Sequence, residues 1–445
     1  MDLIGLLPSF GNFFFTLAAF VVALSIIVAV HEYGHYIVGR WSGIHADVFS
    51  IGFGPVLLKR IDRRGTQWQI AAIPLGGYVK FAGDADAASS GADEEVMAEM
   101  DAQAQRRTMH GAPLWARAAT VAAGPVFNFI FAILVFAGFM MVQGVATDDP
   151  VIGDIAPLPT EGIEVRPGDR ILAVEGIAVD SLADFYAAHA EIDPAPLVTY
   201  RVLRGGEVIE AAGPFPQPPL VGSVTPQSAA RAAGLRAGDV IVSADGAPIA
   251  AFGDLRAVTD ASEGAPMALE VWRNGRMFEV TLEPRSTDLP LPQGGFETRW
   301  LIGLTSGTVF DHATRTPGVW EATTMAGTQT WMVIRTSLEG LYYMVTGVIS
   351  TCNIAGPIGI AETSAAMASD GVSDFIWFIA VLSVAVGLLN LFPIPILDGG
   401  HLVFHAWEAV TGKPPSDRAL RVLMTIGLAL LITLMVFALT NDLFC

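Results

Sequence analysis

His31-Glu32-Tyr33-Gly34-His35 sets two imidazoles four residues apart, with a carboxylate beside the first. In a helix that spacing puts His31 and His35 one turn apart on one face, where both can bind a single Zn2+. Glu32 then stands next to the metal, placed to act as a base on the water that attacks a carbonyl. This is the pattern of a hydrolytic zinc site, and it sits in an unusual place. Residues 13–30 form an apolar run with no charged residue, interrupted only by Thr16 and Ser25. The run is long enough to cross a bilayer as a helix, and the motif continues it. Ionisable groups at membrane depth are costly and mark function. The combination predicts a protease that cuts within or beside the bilayer.

The remaining residues must hold that motif in place. Of 445 residues, 52% are hydrophobic and 16% charged, with a mean hydropathy of +0.50. That is too apolar for an ordinary soluble protein and too charged for one wholly in a membrane, so several spans with a soluble insert are expected. A net charge of -19 argues against nucleic-acid partners. Cys352 and Cys445 lie far apart and follow no CxxC pattern, so neither a disulfide framework nor a thiolate zinc site is expected. Asp2, the lack of Lys or Arg before the apolar run, and the length of that run do not fit a cleavable signal peptide.

Four spans are predicted, over 13–38, 118–142, 375–392 and 422–439, the second with Gly124-Pro125 and Asn128 inside it. With their flanks they occupy 1–43, 113–145, 371–407 and 420–441. Arg40, Lys59, Arg60, Arg63, Arg64 and Lys80 follow the first span, and Lys413, Arg418 and Arg421 precede the fourth. Both loops therefore read as cytoplasmic, which leaves the long middle segment outside and opens the motif toward the cytoplasm.

Catalytic zinc usually keeps three protein ligands and one open position, and the motif supplies two. The best third candidate is Asp398, in Asn390-Leu391-Phe392-Pro393-Ile394-Pro395-Ile396-Leu397-Asp398-Gly399. It follows the third span, at the depth where the first span ends. Pro393 and Pro395 break regular helix and leave backbone groups unpaired, which a membrane tolerates only around a buried or wet cavity. Asn390 offers an amide donor for an oxyanion or for substrate backbone. His401 and His405 compete as ligands and otherwise read as groups that support the site.

HExxH in the first span, with NxxPxPxLDG near a later one, resembles the site-2 protease family of intramembrane zinc metalloproteases, peptidase family M50. The resemblance covers nearly the whole chain. It implies one Zn2+ per chain held by His31, His35 and Asp398, with Glu32 activating water and Asn390 assisting substrate or transition-state binding. The implied fold is a multi-pass α-helical membrane protein with four transmembrane helices and a membrane-associated β-hairpin, plus two PDZ-like domains. The implied reaction is regulated proteolysis of single-span membrane proteins already shortened on the outer side: an anti-sigma factor in envelope stress signalling, and remnant signal peptides. The implied setting is a bacterial inner membrane with the PDZ pair in the periplasm.

Residues 44–84 read as strands around the turn-prone Asp62-Arg63-Arg64-Gly65. The resemblance makes this the membrane-associated hairpin, whose edge at Gly76, Gly77, Tyr78 and Val79 can pair with an unwound substrate backbone. Residues 85–112 are Ala-, Ser- and acid-rich and read as a solvated linker. In the middle of the chain the sequence repeats itself. Gly162 to Leu172 parallels Gly234 to Val242, each with a Gly-Asp pair between a turn and an apolar strand. These are the PDZ-like modules, 148–217 and 218–304. A PDZ module binds a peptide C-terminus by strand addition, and Val221, Gly222, Ser223 and Val224 are expected to line the second groove. Capture of peptide and exclusion of bulky substrates both fit the pair. Residues 305–370 form a post-module segment with an amphipathic helix over 331–349.

Two rivals make different predictions. A membrane scaffold with a structural zinc would show no turnover. A metal transporter would move ions and have no need of Glu32.

Overall fold

The computed structural model describes residues 7–85, 93–290 and 296–444. The chain divides into two compact units. The first holds the segments up to Phe139, Gly318–Met344 and the chain from Thr351 onward; the second holds Met140–Pro317 with Val345–Ser350.

Four helices of the first unit are long and apolar enough to cross a membrane: Phe13–Trp41, Leu114–Gln143, Val372–Asn390 and Arg418–Phe444. The first, second and fourth predicted spans lie inside these helices and the third, 375–392, overlaps one that ends at Asn390, because an uninterrupted apolar run leaves the backbone no better partner in lipid than itself. The motif helix, Leu7–Trp41, runs unbroken through HExxH. Its apolar face meets the third span around Ala23, Ile27 and Ile379. The third helical stretch ends at Asn390, and a new helix, Asp398–Thr411, begins at the aspartate itself. The expected single element over 371–407 is therefore two helices around a loop, as Pro393 and Pro395 require.

The segment after the motif helix is more than a hairpin. Strands Ala46–Ile61 and Gln67–Phe81 each bend, and Val48–Ile51 pairs with Gly77–Lys80 on one side and with Gln67–Ile70 on the other. Leu58–Ile61 lies outside Gln67–Ile70, so four segments form one sheet with Gly77–Lys80 along an edge. Gly52 and Gly54 allow the first bend with φ of 90° and 82°, a region other residues rarely adopt. The sheet is fixed to the motif helix by Phe49, Val79 and Phe81, which share a core with Tyr36. Asp62 reinforces it by accepting from Tyr36 Oη at 3.2 Å and from Trp68 Nε1 at 3.4 Å.

The acidic linker contains structure. Residues 86–92 lie outside the described residues, but Glu94–Glu99 and Ala102–Gln105 are short helices capped by the Asp93 and Asp101 carboxylates. Acids expected to be solvated thus serve as N-caps, where they satisfy free N–H groups. Asp84 is 2% exposed and accepts from the Phe81 N–H at 3.1 Å. Cys352 is disulfide-bonded, contrary to the sequence expectation, and its partner lies outside the described residues.

The second unit builds one pattern twice. Strands Ile177–Ala178, Arg170–Val174, Leu197–Arg204 and Glu207–Pro214 form a sheet in that order; Ala247–Pro248, Val240–Ala244, Met267–Arg273 and Arg276–Leu282 repeat it. A helix follows the second strand each time, Leu182–Ala188 and Phe252–Ala261. Gly168 and Gly238 turn the chain with φ of 93° and 86° just before the repeated aspartates. Asp169 then takes Arg204 in a two-pronged bond at 2.7 and 2.6 Å, and Asp239 takes Arg273 at 2.5 and 2.7 Å.

Residues after 304 do not leave the modules. Leu304–Ser306 pairs with Val221–Val224, and Phe310–His312 pairs with Ile152–Ile155. Val309 and Phe310 complete the first core, where burying a Phe contributes about 1.5–3 kcal/mol. The second module is thus inserted into the first, and 305–370 is not one post-module segment. The amphipathic helix expected over 331–349 begins earlier, at Val319, and runs to Val345. It buries Ala322 and Ala326 against Phe136, Ala380 and Val384 of the spans.

Candidate metal centre

The motif helix delivers His31 and His35 to one face, and their Nε2 atoms lie 3.2 Å apart. Asp398, the first residue of its helix, brings Oδ2 to 3.1 Å from His31 Nε2 and 3.5 Å from His35 Nε2. These three ligand atoms all fall within 4.8 Å of one another. Glycines make the approach possible. A Cβ on Gly34 would sit 2.4 Å from the Ala123 carbonyl oxygen, and one on Gly124 would sit 2.3 Å from His35 Nε2. A Cβ on Gly399 or Gly400 would sit 2.3 Å from the carbonyl oxygens of Leu391 or Ile394, so the loop after Asn390 can curl back over the start of the aspartate helix.

The second span orients both imidazoles. His35 Nδ1 donates to the Thr120 carbonyl at 2.8 Å, which leaves the Nε2 lone pair for a ligand. His31 Nδ1 lies 3.2 Å from the Asn128 amide. Asn128 is fully buried, and its Oδ1 has no partner among the described residues. Rotation of the amide puts that oxygen on the His31 Nδ1 proton, which frees His31 Nε2 as well. Asp398 Oδ2 is itself buried and forms no well-aligned hydrogen bond. Two imidazole nitrogens and a carboxylate crowded together fit a divalent cation. His2Asp with a position left open is a catalytic zinc set.

Glu32 lines the same cavity as the three ligands. The sheet edge reaches it: a Cβ on Gly77 would stand 3.1 Å from Glu32 Cγ, and the Val79 N–H bonds the Glu32 carboxylate. Gly77, Tyr78 and Val79 line the cavity, whereas Gly76 packs under the Phe53 ring. Asn390 also lines it, with its amide nitrogen donating to the Val386 carbonyl at 3.0 Å. His401 and His405 line it farther along.

Val221, Gly222, Ser223 and Val224 do not form an open groove. Leu304–Ser306 already runs along that strand, and Val221 also bonds Asp239 and Gly238 through its N–H and carbonyl. The sequence could not show this, because the strand that fills the position lies some eighty residues later. Asn128 and the Thr120 carbonyl were missed as imidazole partners. A buried amide four residues after Gly124 in an apolar span was the available signal.

Residues 19–434 match the model of peptidase family M50. A Rhizobium meliloti protein named as a zinc metalloprotease is 36% identical over 97% of each chain. One from Agrobacterium fabrum, named likewise, is 37% identical over 95% of this chain and 94% of its own. The regulator of sigma-E protease RseP of Escherichia coli is 33% identical over 97% of this chain and 99% of its own.

Proposed function

The chain belongs to peptidase family M50 and is an intramembrane zinc metalloprotease, and from that premise we propose that it cuts single-span membrane proteins beside the inner end of its first span. The observation that carries the proposal is the His31, His35 and Asp398 cluster on a helix long enough to cross a bilayer. When bound there, zinc supplies Lewis acidity, polarising the scissile carbonyl and making water acidic enough to lose a proton near neutral pH. Glu32 takes that proton and returns it to the leaving amine. Its position under Gly77 and Val79 places the base directly beneath the sheet edge. An unwound substrate strand added along Gly77–Val79 is held through its backbone, so the edge imposes little sequence preference. Asn390 is the candidate donor to the developing oxyanion, which requires that it exchange the Val386 carbonyl for substrate.

The substrate class proposed is an anti-sigma factor first shortened on its outer side, together with remnant signal peptides. The support is the relatives named as regulators of sigma-E protease. The setting proposed is the inner membrane of a Gram-negative bacterium, with the catalytic end of the spans toward the cytoplasm, supported by the basic residues of the loops around Lys59 and Lys413. We read the two repeats as PDZ-type modules of the periplasmic side, supported by their shared strand order and by the nested closing strands.

Cleavage of a truncated single-span reporter by the purified protein and by Glu32→Gln, with zinc quantified in both, tests the reading. Turnover by the wild type only, with zinc in both, is the expected result, and a loss of at least about a hundredfold is required of a general base. Equal cleavage by the two would remove Glu32 from the mechanism. No cleavage of any single-span reporter by fully zinc-loaded wild type would remove the substrate class.

A further inference from the structure

Along the helix that starts at the third metal ligand, Asp398, His401, His405 and Glu408 follow at steps of three, four and three residues. That spacing lays all four on one helical face. The same cavity, about 380 Å³, is lined by every one of them and continues past them to His110 and Arg117. Glu408 closes the row in a two-pronged pair with Arg117 at 2.7 and 3.0 Å, each side chain 17% exposed. His110, 30% exposed, is more open than either. His405 Nδ1 is buried and has no hydrogen-bond partner among the described residues. Proteolysis as derived above uses none of these groups beyond Asp398.

A zinc ion reaching the centre must leave water for a site at membrane depth. Losing its whole hydration shell in one step is prohibitive for a small dication in a medium of low dielectric. Exchange of one water at a time for an imidazole nitrogen avoids that barrier, and imidazole is a good ligand for zinc without adding charge to the cavity. We propose that His405 and His401 form the path by which zinc enters the folded enzyme, passing from the part of the cavity lined by His110 to Asp398. The unpartnered Nδ1 of His405 is the intermediate resting point. The proposal rests on the metal assignment and is independent of the substrate.

The test follows zinc uptake rather than cleavage. Full-length protein in detergent is stripped with a chelator, checked by circular dichroism, and mixed with Zn2+ buffered at a fixed free concentration. Uptake is read with time by a zinc indicator and by final metal content. His405→Leu is expected to slow uptake about tenfold, the lower end of what loss of a supporting group costs a zinc site. Its final zinc content and its cleavage rate once loaded stay at the wild-type level. His405→Cys, which restores a zinc ligand without restoring the ring, recovers most of the rate, a result that a packing role would not give. Uptake by His405→Leu within twofold of wild type would overturn the proposal. So would a wild-type protein that cannot reload at all, since zinc would then enter only during folding. A loaded His405→Leu enzyme with slow cleavage and normal uptake would also overturn it, assigning the cavity to water or product instead.

Discussion

Three aspartates, Asp169 and Asp239 buried and Asp398 partly so, have opposite surroundings. Asp169 and Asp239, one in each repeated module, are fully bonded: each takes two prongs of an arginine and a backbone N–H, from Arg166 at 2.9 Å and from Arg236 at 2.8 Å. Asp398 has two imidazoles near it and no well-aligned hydrogen bond on its buried oxygen. A carboxylate in the first situation has nothing left to offer a ligand and holds the fold. One in the second is stable only when a cation joins it, since burying an unpaired charge is expensive. Satisfaction, rather than burial or residue type, separates structural acids from functional ones here.

The contrast is broken most directly by exchanging each acid for its amide. Asp398→Asn is expected to lose essentially all zinc and all cleavage while the repeated modules keep their thermal transition. Asp239→Asn is expected to do the reverse, costing about 1–3 kcal/mol through the Arg236 N–H and the Arg273 prongs it can no longer satisfy, with zinc content unchanged. Metal analysis paired with limited proteolysis of the second unit reads both. Zinc lost from Asp239→Asn, or retained at full occupancy by Asp398→Asn, would erase the distinction.

A smaller change sharpens the same point through packing. Gly124→Ala puts a methyl group 2.3 Å from His35 Nε2 and 2.8 Å from His31 Cε1, so an imidazole must move off the metal. Zinc affinity is expected to fall by at least the 10- to 100-fold typical of a disturbed zinc environment. At Gly168 nothing lies within 4 Å of an added Cβ, and Gly168→Ala meets only the strain of φ 93°, on the order of 1 kcal/mol. Competition with a zinc chelator should separate the first from wild type and not the second. Asn128→Ala comes next: it removes the partner of His31 Nδ1 and should weaken zinc about tenfold, whereas Asn128→Asp, which keeps an acceptor, should weaken it less.

These contrasts also show what the sequence could carry. His31, Glu32 and His35 were legible because helical spacing alone puts them together, and Asp398 because its depth follows from counting spans. The proline break before Asp398 was legible for the same local reason. What could not be read was pairing between distant residues. Nothing in Val221–Val224 announces that Leu304–Ser306 lies against it, and nothing in Asp169 names Arg204 as its partner. The Gly-Asp repeat was visible as a turn, but the glycine alone explained it until the arginine at the end of the third strand appeared. The capping role of Asp93 and Asp101 was hidden in a composition that also describes an unstructured linker.

Acid should dissociate the two regions in order. The Arg204 guanidinium bonded to Asp169 holds that carboxyl below the usual range, with the Arg166 N–H adding to the effect. A group whose folded pKa is depressed contributes stability that is full above its unfolded value, near 3.9, and is lost as pH falls through the folded value. The first repeated module should therefore keep this contribution from neutrality down to about pH 5 and lose it only below about pH 4. Zinc binding needs deprotonated imidazoles, and protons compete for them at milder acidity, so the metal should leave first. As pH falls toward about 4 the protein is expected to release zinc while the first repeated module stays folded. Asp169→Asn should flatten the acid limb of the module's stability and leave the zinc-release curve where it was. If zinc release and unfolding of the module instead moved together in that variant, the bonded and unbonded carboxylates would belong to one cooperative system, and the division drawn from their hydrogen bonds would fail.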